Sequence, residues 1–170
     1  IGENVGMVLQ DPFLFSGSIL DNVRYGEEKI SLDLLKEESI KLGIDEFIQN
    51  LPNKYETVIG QRGSDLSMGQ RQLLSILRAL LADTKYLILD EATSSIDSYT
   101  EKKIQTALDV LLDNRTSITI AHRLATVRNC DRIIVLNQGE IIESGNHDDL
   151  LKINGLYSKL YKLNYSSFDD

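Results

Sequence analysis

Two adjacent carboxylates, Asp90 and Glu91, directly follow a continuous apolar run over residues 86–89. Such a run predicts a strand of a parallel sheet that is covered on both faces, which places both carboxylates at the strand's carboxyl end. One carboxylate there can hold Mg²⁺ beside a nucleotide phosphate. The other can accept a proton from an attacking water as a general base. An acidic pair is also an ordinary solvated strand end, so the pair alone leaves the function open.

Two more polar residues end predicted strands. Gln10 follows the apolar run 5–9, which Pro12 prevents from continuing, and His122 follows the run 117–121. A glutamine in this position can reach a metal-bound water, and a histidine can hydrogen-bond a γ-phosphate or the attacking water. Each residue alone is a weak indication. Three strand ends that meet at one sheet edge together predict a ligand site.

A third group of candidate residues lies at the start of a predicted helix. Ser67 precedes a strongly amphipathic segment, residues 68–81, and is a natural N-cap. The free N–H groups and the positive dipole end of such a helix can bind an anion. Ordinary capping of a core helix explains the same residues, so this feature also needs support from elsewhere.

The remaining patterns complete an α/β sheet with a mainly helical insertion. Ser98 and Glu101 form a capping-box pattern that predicts the start of a second long helix. The other predicted elements are helices from Ser31 to a C-cap at Gly43 and over residues 45–50, a loop over residues 55–65, a hairpin of residues 132–136 and 140–143, and terminal helices around residues 150–151 and 156–163.

Composition excludes several classes of protein. The 170 residues include 18 basic and 26 acidic side chains, and the net charge of −8 argues against binding nucleic acid. A single cysteine, Cys130, excludes an intrachain disulfide framework. No apolar run approaches the length of a membrane span, so we expect a soluble chain that could dock onto a membrane protein. The sequence opens at Ile1 just before a strand, which is expected either if part of the domain precedes it or if the start is processed or engineered.

Together these segments closely resemble the nucleotide-binding domain of ATP-binding cassette (ABC) transporters of the exporter type. Residues 5 to about 163 carry the resemblance. Its five ordered motifs are the Q-loop at Gln10, the signature LSGGQ at Leu66-Ser67-Met68-Gly69-Gln70, the Walker B strand at residues 86–91, the D-loop at residues 94–97 and the switch-histidine segment at residues 120–124. Residues 12–26 and the X-loop-like residues 58–63 indicate the exporter type.

The resemblance implies a part of the P-loop NTPase (ABC ATPase) fold that binds ATP and Mg²⁺ and powers export. It implies that Asp90 binds the metal and that Glu91 activates water. It also implies that Gln10 senses the metal and γ-phosphate, and that His122 holds the γ-phosphate. Residues 1–12 and 83–170 would belong to the ATPase core, and residues 13–82 would form the helical subdomain.

The resemblance also implies partners. Ser67, Met68, Gly69 and Gln70 would serve the ATP of a second nucleotide-binding domain, identical or different, and Asp97 would couple the two sites. Residues 13–63 would meet the coupling helices of a transmembrane domain, at the cytoplasmic face of the membrane. The transported substrate and the type of dimer are not encoded in these residues.

The sequence departs from the family pattern in three ways. Met68 replaces a glycine of the signature, and Gln61 stands where the X-loop usually has glutamate. No glycine is followed by lysine, so the sequence contains no P-loop GxxxxGK[ST]. We therefore expect the chain alone to be inactive. Two alternatives stay open: a non-catalytic fragment that supplies only a signature half-site, and a non-transport ABC ATPase.

Overall fold

The computed structural model describes residues 4–25, 29–60, 63–91, 96–121 and 124–165, without the side chains of residues 91, 124, 125, 164 and 165. The chain divides into two compact units, residues 1–120 and 121–170. Within the described residues, no helix is both long enough and apolar enough to cross a bilayer.

A three-stranded sheet organises the first unit. Its strands β1 (Val5–Val8), β4 (Tyr86–Glu91) and β5 (Thr116–Ala121) lie in the order β1-β4-β5, and β1 and β4 are parallel with Val8 opposite Leu89. Val8, Leu87 and Leu89 are buried in one cluster with the apolar faces of helices α4 (Met68–Leu81) and α5 (Ser98–Leu112). The expectation of cover on both faces of β4 is met only in part by the described residues. Leu87 and Leu89 are buried on one face, whereas on the other face Ile88 is half-buried and Tyr86 is 50% exposed.

Short helices and a small ribbon lie between β1 and α4. They are β2 (Gly17–Ser18), α1 (Ile19–Arg24), α2 (Leu32–Lys41), α3 (Asp45–Gln49), the 3-10 turn Lys54–Glu56 and β3 (Val58–Ile59). Ser31 caps α2 by accepting from the Leu34 N–H at 3.1 Å, and Gly43, just past its end, has φ +65°. The predicted loop over residues 55–65 is wrong at β3, which pairs antiparallel with β2. A two-residue strand is too short to produce an alternating pattern.

Helices α4 and α5 begin at side-chain caps. At Ser67 a reciprocal capping box forms: Ser67 Oγ accepts from the Gln70 N–H at 3.2 Å, and Gln70 Oε1 accepts from the Ser67 N–H at 2.9 Å. The second long helix begins at Ser98 as predicted, but the capping-box pattern places its N-cap one residue too late. Asp97 is the N-cap and accepts from the Thr100 N–H at 3.0 Å. The Asp97 carboxylate combines this hydrogen bond with a favourable interaction with the helix dipole.

The second unit contains the predicted hairpin and terminal helices. Helix α6 (Leu124–Arg128) precedes the antiparallel pair β6 (Ile133–Asn137) and β7 (Glu140–Gly145), which are followed by α7 (His147–Ile153) and α8 (Leu156–Tyr165). Its small core consists of Ile133, Val135, Leu150 and Tyr157. The Glu143 carboxylate accepts from the Leu156 and Tyr157 N–H groups and thereby caps α8.

Candidate functional site

The sheet brings two of the predicted site residues to the same edge. Val8 pairs with Leu89 in parallel strands. Gln10, two residues after Val8, and Asp90, next to Leu89 in β4, therefore lie at the adjacent carboxyl ends of the two strands. Gln10 is exposed and Asp90 is half-buried. The Thr116 N–H donates to the Lys85 carbonyl oxygen at 3.3 Å, so β4 and β5 start side by side and both end toward this edge. The side chain of Glu91, the last residue of β4, and the whole of His122, the residue after β5, lie outside the described residues.

The first turn of α4 presents a second polar surface. Ser67 is exposed, and in the cap its hydroxyl oxygen accepts from the Gln70 N–H. Among the described residues the hydroxyl donates to no acceptor, so it can donate a hydrogen bond to a ligand. By helix geometry, the Met68 and Gly69 N–H groups have no acceptor within α4. The positive end of the helix dipole favours an anion at the same place.

The Met68 side chain lies along α4 and contacts Arg71. Arg71 Nη2 donates to Met68 Sδ at 3.5 Å, and Met68 is half-buried. Arg71 Nη1 donates to the Gly63 and Leu66 carbonyl oxygens at 3.4 and 3.2 Å. The thioether therefore packs on the arginine that holds the turn before α4, on the same helix face one turn further along.

Gly69 lies where two helices meet. It is buried, and a Cβ atom at this position would overlap Thr100 Cγ2 and lie 3.5 Å from Ile96 Cγ2. Thr100 is also the residue whose N–H binds the Asp97 carboxylate. The start of α4 and the cap of α5 are thus in van der Waals contact at a position that only glycine fits.

Hydrogen bonds lower the pKa of the Asp97 carboxyl. The Thr100 backbone N–H makes the largest contribution, and the Thr100 side chain adds to it. Asp97 is therefore ionised near neutral pH, and its charge lies beside the N-terminus of α5.

Comparison with known proteins identifies the family of the chain. Residues 1–94, more than half of the chain, match the family described as ABC transporter. The chain belongs to the ABC transporter family.

Relatives and a solved structure agree with this assignment. The chain is 53% identical to the ABC transporter ATP-binding protein YknV of Bacillus subtilis over 97% of this chain and 27% of that protein. It is 44% identical to the ATP-dependent lipid A-core flippase of Desulfotalea psychrophila over 95% of this chain and 28% of that protein. A bacterial Atm1-family ABC exporter with ATP bound superposes with a TM-score of 0.85 and 38% identity, over 95% of this chain and 28% of that one. The chain has the ABC ATPase fold of the exporter type, and it spans about a quarter of the length of these proteins.

The residues at the sheet edge suit Mg²⁺. Within the described residues, no three His, Cys, Asp or Glu side chains cluster as a metal cage. Mg²⁺ does not need one, because it is usually held by one or two carboxylates, waters and substrate phosphates. A half-buried Asp90 beside the exposed Gln10 amide is a donor set of this kind.

Three residues near the candidate site were missed by the sequence analysis. Arg71 holds the turn before α4, Thr100 packs on Gly69, and Gln72 is buried on α4 beside β1. For Gln72 the sequence does carry an indication: it lies four residues before Ile76 and so occupies the apolar face of the helix. Nothing in the sequence pattern indicates the roles of Arg71 and Thr100, which depend on tertiary contacts.

Gly69→Ala is expected to destabilise the chain by about 1–3 kcal/mol, because the new methyl group overlaps Thr100. Alanine normally stabilises a helix relative to glycine, so a lower free energy of unfolding is diagnostic of the overlap. The free energy of unfolding is measured by urea denaturation. Thr100→Ser alone is the control, and the double variant should recover most of the loss, since serine lacks Cγ2. Wild-type stability in Gly69→Ala, or no recovery in the double variant, would contradict the tight contact.

Proposed function

We propose that this chain is the carboxyl-terminal part of a nucleotide-binding domain that hydrolyses ATP to power export across a membrane. The observation that supports this most directly is the shared edge of β1 and β4, where Gln10 and Asp90 lie together, combined with the capped first turn of α4. The exporter-type relatives support the same function.

Each residue has a role in this proposal. Asp90, with Gln10, would hold Mg²⁺, which when bound neutralises phosphate charge. Glu91 would accept a proton from the attacking water, and His122 would hold the γ-phosphate. Ser67 and Gly69 would donate hydrogen bonds to the ATP of a second, opposing domain, and Gln70 would keep Ser67 in place through the capping box. Asp97 would couple the two sites through its contact with Thr100.

An exposed aromatic cluster supports a transmembrane partner. Phe13, Phe15 and Tyr25 are 50%, 41% and 59% exposed, with ring centroids 4.9 Å apart for Phe13 and Phe15, and 5.1 Å apart for Phe15 and Tyr25. Exposed apolar patches mark interaction sites. We propose that residues 13–63 contact the coupling helices, that residues 13–82 form the helical subdomain, and that the domain sits at the cytoplasmic membrane face. Residues 1–12 and 83–170 would form the ATPase core.

A non-catalytic role as a signature half-site is the second candidate for the isolated chain. The observation that favours it is the absence of GxxxxGK[ST] from these 170 residues, since that motif supplies most of the phosphate donors. A non-transport ABC ATPase is a weaker alternative, because the motifs at residues 12–26 and 58–63 resemble those of exporters.

Glu91→Gln, in the complete protein that contains this chain, should abolish turnover and leave ATP binding intact. Glutamine keeps the size of the side chain but cannot accept the proton, and loss of a general base lowers the rate by about 10²-fold or more. Steady-state ATPase activity and nucleotide binding are measured in parallel. Asp90→Asn is the comparison, and should weaken the dependence on Mg²⁺ instead. Near-normal turnover of Glu91→Gln would remove Glu91 from this role.

The isolated 170-residue chain is expected to bind ATP weakly. Titration with a fluorescent ATP analogue should show no saturation below about millimolar concentration, because the chain lacks the GxxxxGK[ST] motif. A Kd of about 1 mM corresponds to about 4 kcal/mol of binding free energy. The complete protein is the positive control. Micromolar affinity of the isolated chain would contradict the half-site interpretation.

Met68→Gly should change the ATPase rate of the complete protein by less than about tenfold, or about 1.4 kcal/mol of barrier. The reason is that the Met68 thioether already packs on Arg71, and the cap at Ser67 and Gln70 does not depend on it. Met7→Leu is the matched control, at the other methionine of the chain. A homodimer that is silent with Met68 and active with glycine would instead indicate a degenerate site that works opposite a different partner.

A further inference from the structure

Helix α4 carries a buried amide in its apolar face. Gln72 is 4% exposed, and the neighbouring Leu73, Leu74 and Ile76 are equally or more deeply buried. A buried polar side chain is costly unless its hydrogen bonds are made. A leucine or methionine would fill the same volume without that cost, so the amide needs an explanation other than packing.

The Gln72 amide contacts the peptide that precedes Gln10. Its Nε2 donates to the Leu9 carbonyl oxygen at 3.5 Å, across 63 residues of sequence. Its Oε1 is buried and has no hydrogen-bond partner among the described residues. The carbonyl group that Gln72 binds belongs to the peptide bond whose nitrogen is that of Gln10. The hydrogen bond from Gln72 Nε2 is long, and Gln72 Oε1 accepts none among the described residues. A small movement of the amide or of the Leu9–Gln10 peptide can therefore shorten the contact.

The same helix holds the segment after Gln10 at two further points. Arg78 Nη1 donates to the Phe13 carbonyl oxygen at 3.1 Å, and Arg78 Nε donates to the Asn22 carbonyl oxygen at 2.8 Å. Three backbone carbonyls between residues 9 and 22 are therefore bound by side chains of α4. When α4 moves, this segment must move with it or break these hydrogen bonds.

Gln72 also lies close to the ligand end of α4. Gln70, which completes the Ser67 capping box, precedes it by two residues. One stretch of the helix, residues 67–72, thus joins the turn proposed to meet the opposing ATP with the peptide of Gln10, at the edge where Asp90 lies. A rigid helix transmits a displacement between its ends without any change in its own hydrogen bonds.

We propose that Gln72 is a positioning residue that fixes the Leu9–Gln10 peptide relative to the first turn of α4 and acts on the nucleotide site through Gln10. The proposal rests on the proposed function, because it assigns Gln10 to the Mg²⁺ and γ-phosphate site. Binding of the opposing ATP at Ser67 then affects the placement of Gln10 in the same chain.

The test is a double-mutant cycle between Gln72→Met and Gln10→Ala in the complete protein that contains this chain. The MgATP concentration that gives half-maximal ATPase activity is measured for all four proteins. Gln72→Met should raise this concentration about three- to tenfold when Gln10 is present, a coupling typical of residues in contact. In the Gln10→Ala background it should change the concentration by less than about twofold. The melting temperature should stay the same or rise, because methionine removes a half-satisfied buried amide.

Controls separate positioning from simple structural support. Gln105→Met makes the same chemical change at an exposed position of α5, where the amide binds Asp109 at 3.3 Å, and should alter neither measurement. Gln72→Leu is the second apolar variant if Gln72→Met does not fold, and the same outcomes apply to it. Where the wild-type protein is active, two results would overturn the proposal. One is that Gln72→Met leaves the half-saturating MgATP concentration unchanged, and the other is that it shifts this concentration equally with and without Gln10. A wild-type protein without ATPase activity would refute the proposed function itself.

Discussion

Helix α4 must bury one face completely while its first turn stays open to a ligand. Leu74, Ile76 and Leu77 have no exposed surface, and burial of each such side chain is worth about 1.5–3 kcal/mol. These contacts fix the position of the helix on the sheet. The capping box of Ser67 and Gln70 then satisfies the end of the helix without covering it. A helix that is firmly held along its length can present its N-terminal N–H groups in one place.

This constraint explains why polar side chains of α4 reach other segments. Arg71 holds the turn before the helix, and Arg78 holds the Phe13 and Asn22 carbonyl groups. Burial lowers the pKa of the Arg78 guanidinium, and burial of a charge is tolerated only where hydrogen bonds compensate for it. Its three hydrogen bonds, and its position 5.2 Å from the Tyr25 ring centroid, supply this compensation. The exposed aromatic cluster is thus supported from beneath by the helix that begins at the signature.

Local chemistry made most of the fold predictable, and tertiary contacts account for the rest. Ser67 was identified as a cap because a short hydroxyl side chain before an amphipathic segment is a preferred N-cap. The hairpin of β6 and β7 was predicted from its turn residues. The ribbon of β2 and β3 was not, because its pairing joins residues about 40 positions apart and involves only two on each strand. The cap of α5 was misplaced because Asp97 and Ser98 are both good capping residues, and only the structure shows which one the backbone uses.

In the candidate site, too, some features were predictable from the sequence and others depend on tertiary contacts. Motifs located Asp90 and Gln10 by their positions after strands, and the register of β1 and β4 is what brings them to one edge. The contact between Gly69 and Thr100 has no counterpart in a one-dimensional pattern, since α4 and α5 are separated by a strand and a turn. It gives the second glycine of the signature a packing role that is independent of any phosphate. The first glycine position lacks that role, because the Met68 side chain turns toward Arg71 instead of toward α5. The structure therefore tolerates a long side chain at position 68 and not at position 69, and this asymmetry explains how the signature can lose one glycine while keeping its fold.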